Sequence, residues 1–377
     1  MSSSRFTLED IRIREAVRDL HVIKPHVYWM DFLIAVTAGW IAVLVAATLP
    51  LFSAGMLVAL GIAVLSLYRA LCFIHEISHQ TSRTLPGFEK AWNLLVGYPL
   101  LMPSCVYSGV HQFHHSLKTY GTSRDPEYMP FARSKVMTVL FAVESFLIPV
   151  ALLIRFLLLS VAGFASPPLQ KWLVVCFSSL TMNLTWRREA GPQTVALVRR
   201  QSAHILLIWA GFAGLALAGW LPWHFFIVWL MTSSAVSFVN TLRTLGAHAY
   251  DSTGEPLDRE AQLVDSIDTP GAVWTELWAP VGLRYHALHH YFPGLPYHNL
   301  PEAWRRITLV VPANAVYHES RSRGLAFSLL ALLSGSIRQS TIRQSTIRQS
   351  TIRQSTIRQS TTADDLNPSS HACPEQP

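Results

Sequence analysis

The sequence predicts an all-α, multi-pass membrane protein: about four transmembrane helices in two hairpins, with interfacial helices and a helical cytoplasmic cap. Three observations predict it. Half of the residues are apolar and only 14% are charged, too greasy for an ordinary soluble enzyme and without the glycine and proline bias of a fibrous or disordered chain. The apolar residues come in long runs, paired across a proline turn. Histidines gather in three short strings that follow those runs.

Taken in chain order, residues 1–28 form a charged N-terminal segment in which Thr7-Leu8-Glu9-Asp10 has the pattern of a helix start. The run 32–49 carries no charge, Pro50 breaks it, and a second run, 55–74, is interrupted only by Arg69 near its end. Each is just long enough to span about 30 Å of hydrocarbon at about 1.5 Å per residue. A second hairpin repeats the plan with run 205–221, a turn at Pro222 flanked by Trp220 and Trp223, and run 225–239. Between the hairpins, residues 136–184 are apolar but interrupted by Glu144, Pro149, Arg155 and Pro167-Pro168. Charges at mid-bilayer are costly, so two interfacial or re-entrant helices are expected there, with a spanning pair as the alternative.

The charges orient the chain. Arg12, Arg14, Arg18 and Lys24 precede the first run and Arg187, Arg188, Arg199 and Arg200 precede the third, whereas the hairpin tips lack lysine and arginine. By the positive-inside rule the N-terminus, the middle loop and everything after residue 240 face the cytoplasm. No cleavable signal peptide is visible, since the first apolar run follows a charged segment; the first span is expected to stay as an anchor.

The membrane domain is expected to occupy residues 29–320, followed by a short apolar or interfacial segment, 321–335, and a tail, 336–377. That tail repeats IRQST, a five-residue period that fits neither a helix nor a strand face, and it reads as disordered. Its five repeat arginines weigh heavily in the net charge of +7: subtracted, they leave +2. No nucleic-acid partner is indicated. Cys72, Cys105, Cys176 and Cys373 lie far apart with no C-x-x-C pair, so neither a disulfide framework nor a thiolate metal site is suggested. A bound metal would have nitrogen and oxygen ligands.

The string His75-Glu76-Ile77-Ser78-His79 fits two chemistries. As H-E-x-x-H it is the zinc-protease signature, with the glutamate as general base. As H-x-x-x-H it is one of three histidine boxes, the others being His111, His114, His115 and His286, His289, His290. Spacings of three and four put side chains on one helix face, so each box presents a converging group. The adjacent pairs His114-His115 and His289-His290 diverge by roughly 100° on a helix, which suits two metals better than one. Eight imidazoles are also too many for one tetrahedral zinc with an open position, but they suffice for two irons with vacant sites, and imidazole suits iron.

The three boxes resemble the membrane fatty acid desaturase family, and "YGTSRDPEY" and "YHALHHYFPGLPYHNLPEAW" resemble its bacterial-type members. The likeness is dense over residues 70–130 and 236–318, weak over 136–200 and absent from the tail. It implies a di-iron enzyme, seated in a bacterial inner membrane, that spends O2 and two electrons to remove hydrogens from an unactivated acyl chain of a fatty acid or lipid. It also implies a further ligand, His248 in "NTLRTLGAHAY". Some relatives carry an asparagine one turn before that histidine; here the position is Thr244, and Asn240 is a turn too early to replace it directly.

Desaturation is the leading reading. Hydroxylation or ketolation of a lipid, sphingoid or carotenoid on the same irons is the alternative, and a metal-binding protein that does not turn over O2 is a distant third. Asp125 and Glu127 are expected to orient histidines or cap a turn, Glu76 to fix an imidazole, and His298 to stand behind a ligand. Tyr285, Tyr291, Phe292 and Phe113 are candidate walls of a substrate tunnel, with plain packing the bland reading. No haem stretch, cysteine cluster or G-x-G-x-x-G follows a strand to carry electrons. A separate donor, a ferredoxin or a cytochrome b5-like protein, is therefore expected, and Arg187, Arg188, Arg305 and Arg306 are candidates for docking it.

Overall fold

The computed structural model describes residues 2–80 and 83–335 of the chain. Among the described residues there is no strand, only isolated bridges such as His248 to Ser266 and Asp268 to Tyr285. The principal helices are α1 (Ser2–Val17), α2 (Pro25–Thr48), α3 (Ala54–His79), α4 (His111–His115), α5 (Lys135–Ala165), α6 (Pro167–Phe177), α7 (Pro192–Leu217), α8 (His224–Leu245), α9 (Arg259–Asp265), α10 (His286–Tyr291), α11 (Leu300–Val310) and α12 (Leu325–Ser334). The IRQST repeats and Cys373 lie outside the described residues. Cys72, Cys105 and Cys176 are unpaired thiols.

Among the described residues, four helices are long and apolar enough to cross a membrane: α2, α3, α5 and α8. The expected number stands, but one member differs. Helix α7, which holds most of run 205–221, is not among them, because Arg199, Arg200, Gln201 and His204 interrupt it. Helix α5, in the first part of 136–184, meets the length and apolarity for a span instead, and it continues through a 3-10 turn at Ser145–Leu147 and a π turn at Ile154–Leu159. The charge that argued against a span here is satisfied internally. Arg155 donates from Nε to the Phe177 carbonyl (2.8 Å) and from Nη1 and Nη2 to the hydroxyls of Ser160 and Ser178 (3.0 Å each). A buried cation so paired no longer bears the full cost of an unsatisfied one.

Helices α2 and α3 form the first hairpin. Pro25 begins α2, where its missing N–H costs nothing, and the Ser53 hydroxyl caps α3 by accepting from the Met56 N–H at 3.2 Å. Small residues line the buried face of α2, and a Cβ on Gly39 would meet Leu67 Cγ of α3 at 2.6 Å. Close approach across small residues is the usual packing of helices in lipid, where no hydrophobic force separates helix from tail. The lone charge in run 55–74 is a fastening: Arg69 grips both oxygens of Asp31 at 2.6 Å and reaches Glu276 at 3.1 Å. One guanidinium thus ties α2, α3 and the cap.

Helix α1 begins before Thr7, so the expected helix start there is an interior stretch. Its position follows from docking: Ile13 and Val17 are buried, and Arg306 of α11 binds Asp19 at 2.6 Å, just beyond the helix end. Helix α12 occupies the expected apolar segment and buries Leu332 in a cluster with Tyr120, Phe131 and Leu245.

Candidate metal centre

The three boxes land on helix ends that meet. Helix α3 finishes in His75 and His79; α4 carries His111, His114 and His115; α10 carries His286, His289 and His290; and His248 lies in the turn after α8. Two groups result. His75, His79, His111, His115 and His289 bring one ring nitrogen each within 4.8 Å of one another, and so do His114, His248, His286 and His290. All nine histidines expected from the sequence are in one group or the other. The adjacent pairs are divided between the groups, as a rotation of roughly 100° per residue requires.

The rings face inward through Nε2. His248 Nε2 lies 2.8 Å from His286 Nε2 and 3.2 Å from His114 Nε2; His111 and His115 approach through Nε2 at 2.9 Å, and His79 and His289 at 3.1 Å. Several outward nitrogens are held by carboxylates and phenols. Glu127 Oε1 accepts from His111 Nδ1 (2.8 Å), Asp125 from His114 Nδ1 (3.0 Å), and Tyr120 OH meets His248 Nδ1 (2.8 Å). Fixing Nδ1–H leaves the Nε2 lone pair for a metal. Both nitrogens of His75 are buried without a partner, a costly state that a cation would relieve. The donor set, nine imidazoles with carboxylates behind them, therefore fits two metal ions.

Electrostatics favour the ligand form. Burial holds His111, His115, His286, His289 and His290 well below the ordinary imidazole range, and His248 is pushed down to about 4 by the same cause. His114 differs: burial pulls it down, but the charge and hydrogen bond of Asp125, with Glu127 and Asp265, carry it upward. Burial raises the Glu127 carboxyl to about 7.

A cavity of about 190 Å³ adjoins both groups, touching His75, His111, His114, His248 and His286, with Leu71, Ile74, Met102 and Phe141 among its apolar walls. A second cavity, about 150 Å³, reaches His115 and His290 beside Arg259, Gln262 and Tyr291.

Residues 52–321 match the family described as fatty acid desaturase. The chain belongs to that family. Membership makes it a membrane oxidoreductase of a di-iron enzyme family. The chain is also similar to a ceramide hydroxylase of Caulobacter vibrioides (strain NA1000 / CB15N), 38% identical over 340 residues, which cover 88% of this chain and 96% of that protein. A shorter likeness, 31% over 117 residues, relates it to an acyl-lipid (9-3)-desaturase of Physcomitrium patens, covering 30% of this chain and 21% of that protein.

Against the family pattern, several expectations need correction. Glu76 does not fix an imidazole: its Oε1 stays 4.0 Å from His75 Nδ1, while Oε2 accepts from Tyr28 OH at 2.5 Å and the Tyr297 N–H at 3.3 Å. It ties α3 to α2 and the cap, and so cannot serve as the base of a zinc protease either. The aromatic candidates do not wall the larger cavity. Phe113 packs on Trp186, Phe292 on His21 and Tyr285 near Trp304, while Tyr291 borders the second cavity. His298 joins neither group; its Nε2 accepts from the Lys24 N–H.

The basic candidates for donor docking also divide. Arg188 is buried and donates to the carbonyls of Cys105, Ser178 and Ser108, and Arg305 and Arg306 are paired with Glu302. Only Arg187 stays exposed with backbone partners alone. Sequence reasoning missed three supports of the centre. Tyr107 OH touches His111 Nδ1 at 2.8 Å. Asp265 accepts from the phenols of Tyr120 (2.7 Å) and Tyr128 (2.9 Å), bracing His248. Asp268 accepts from the Leu288 N–H (3.1 Å) and Tyr317 OH (3.2 Å), pinning α10.

Proposed function

We propose that this protein hydroxylates a polar membrane lipid of the ceramide kind, using O2, two electrons from a separate ferredoxin or cytochrome b5-like donor, and two irons. His75, His79, His111, His115 and His289 hold one iron; His114, His248, His286 and His290 hold the other. The observation that carries this reading is the convergence of nine histidines from four segments into two groups beside one largely apolar cavity. Iron supplies the oxidising power for an unactivated C–H bond. The chain's own residues supply the rest: Asp125, Glu127 and Tyr120 set the imidazole orientation, and the buried walls exclude water. The stoichiometry is R–H, O2, two electrons and two protons giving R–OH and water.

Hydroxylation is preferred to desaturation because the relative that matches nearly the whole chain is a ceramide hydroxylase, whereas the desaturase likeness covers under a third of it. Desaturation of an acyl chain, the leading reading from the sequence, is the second reading, since the same ligands serve both outcomes. The termini and the histidines face the cytoplasm of a bacterial inner membrane in this proposal, on the strength of the basic residues before the first apolar run. The test is expression in a host with defined sphingolipids and analysis of its lipids by mass spectrometry. Gain of one oxygen on the lipid, labelled from isotopically heavy O2, supports the proposal. Loss of two hydrogens without oxygen gain replaces it with the second reading.

A further inference from the structure

Helix α8 turns an unusual face towards the cavity beside the histidines. Ser237, Asn240, Thr241, Arg243, Thr244 and His248 all border that space. Positions 237, 241, 244 and 248 repeat at intervals of four and three, a single helical stripe continued into the turn. This polar stripe lies on one of the four helices apolar enough to cross a membrane. Polar and charged groups in such helices are expensive and mark functional sites.

Two of the residues that border the cavity each carry an unpaired buried atom. Ser237 Oγ and Arg243 Nε are buried and make no hydrogen bond. Arg243 Nη2 donates to Asn240 Oδ1 at 3.0 Å, which holds the guanidinium in place without satisfying Nε. Glu127 borders the same cavity, and its carboxylate is engaged by His111 and Tyr107.

We infer that Arg243, Asn240 and Ser237 form a subsite for the polar end of the lipid substrate, where they bind the oxygen acceptors of a neutral amide- or hydroxyl-bearing group. The inference rests on the oxygenase reading and adds where on the substrate the reaction falls. A cluster of donors in a mostly apolar cavity needs acceptors from the ligand. A neutral group is favoured over a fatty-acid carboxylate because Glu127 faces the same space. At about 190 Å³ the cavity is smaller than the roughly 300–1,000 Å³ of pockets that enclose a whole drug-sized ligand. It accommodates a head group and a few carbons while the chains run outward. Since histidines of both groups border it, the carbon that reacts lies a few bonds from the polar group and not in mid-chain.

The test uses iron-loaded protein in detergent with N-octanoyl sphinganine as the probe. Under anaerobic conditions, where no turnover occurs, equilibrium dialysis should show Arg243→Leu weakening binding on the order of tenfold to a hundredfold, the value of a lost hydrogen bond to a charged group. Ser237→Ala should weaken it less, and Arg243→Lys should recover part of the loss. With O2 and reduced ferredoxin, KM should rise in step with the dialysis result while kcat changes less, and iron per chain should match wild type. Unchanged binding and KM in both Arg243→Leu and Ser237→Ala would overturn the subsite, as would octadecanoate binding more tightly than the amide probe in an Arg243-dependent way. If wild-type protein binds the probe through Arg243 but adds no oxygen to it, the subsite stands and the oxygenase reading falls.

Discussion

His115 and His290 lie with ring centroids 4.2 Å apart and planes 23° from parallel, yet they belong to different histidine groups. The two proposed metal positions therefore share a wall. Removing one ring should disturb both, because the remaining ring loses the neighbour that fixes its orientation. We expect His290→Ala to bind about half the wild-type iron or less. Activity should fall on the order of a hundredfold or more, since even residues behind a ligand are worth roughly tenfold to a hundredfold. Iron analysis of the purified variant checks this, and wild-type iron content would mean that His290 is not a ligand.

Asp265 acts on the centre at one remove. Its Oδ2 accepts from Tyr120 OH at 2.7 Å, and that same hydroxyl lies 2.8 Å from His248 Nδ1. Asp265→Asn and Tyr120→Phe each break this relay without opening a large void. Either should lower iron affinity or activity by roughly tenfold to a hundredfold while leaving the helical circular dichroism spectrum unchanged. The double variant should cost little more than the worse single one, because residues in one network are not additive. Additive losses would separate the two roles.

The grouping of the histidines was legible in the sequence because a helix converts spacing into direction: His111, His114 and His115 must share an end, whatever the rest of the chain does. Their supports were not. Asp265 braces a tyrosine 145 residues away, and nothing in its own neighbourhood marks it. Glu76 misled for the same reason: proximity in sequence to His75 suggested a partnership, but the helix turns its carboxylate towards Tyr28. Among the candidate spans, α2 and α3 were plain from long apolar runs. Helix α5 was not, because Arg155 reads as a mid-membrane charge until Ser160, Ser178 and the Phe177 carbonyl are seen around it.

The repeat tail should be dispensable, and the helix before it should not. Leu332 of α12 is buried with Tyr120, a residue that touches His248. A chain ending at residue 335 should keep wild-type activity and iron. One ending at residue 324 exposes that cluster and should lose about 2 kcal/mol or more from Leu332 alone, the usual worth of a buried leucine. Thermal unfolding in detergent and activity of the two truncations decide it. An inactive 1–335 chain would give the IRQST repeats a role.

Arg69 offers a measurement of what holds the cap on the membrane helices. Its side chain is 29% exposed, and it binds both oxygens of Asp31 and one of Glu276. Asp31→Ala leaves the cation with one carboxylate and also strips Tyr297 OH of its acceptor at 2.8 Å. We expect a loss of about 2–3 kcal/mol, the cost of removing a charged hydrogen-bond partner, seen as a lower Tm in detergent. Replacing both charges, Asp31→Leu with Arg69→Met, should recover part of it, because a half-buried cation that has lost its bidentate carboxylate costs more than an apolar pair of similar size. If the double variant is instead less stable than Asp31→Ala, the Arg69–Glu276 contact carries the joint, and Glu276→Gln should then show the larger loss on its own.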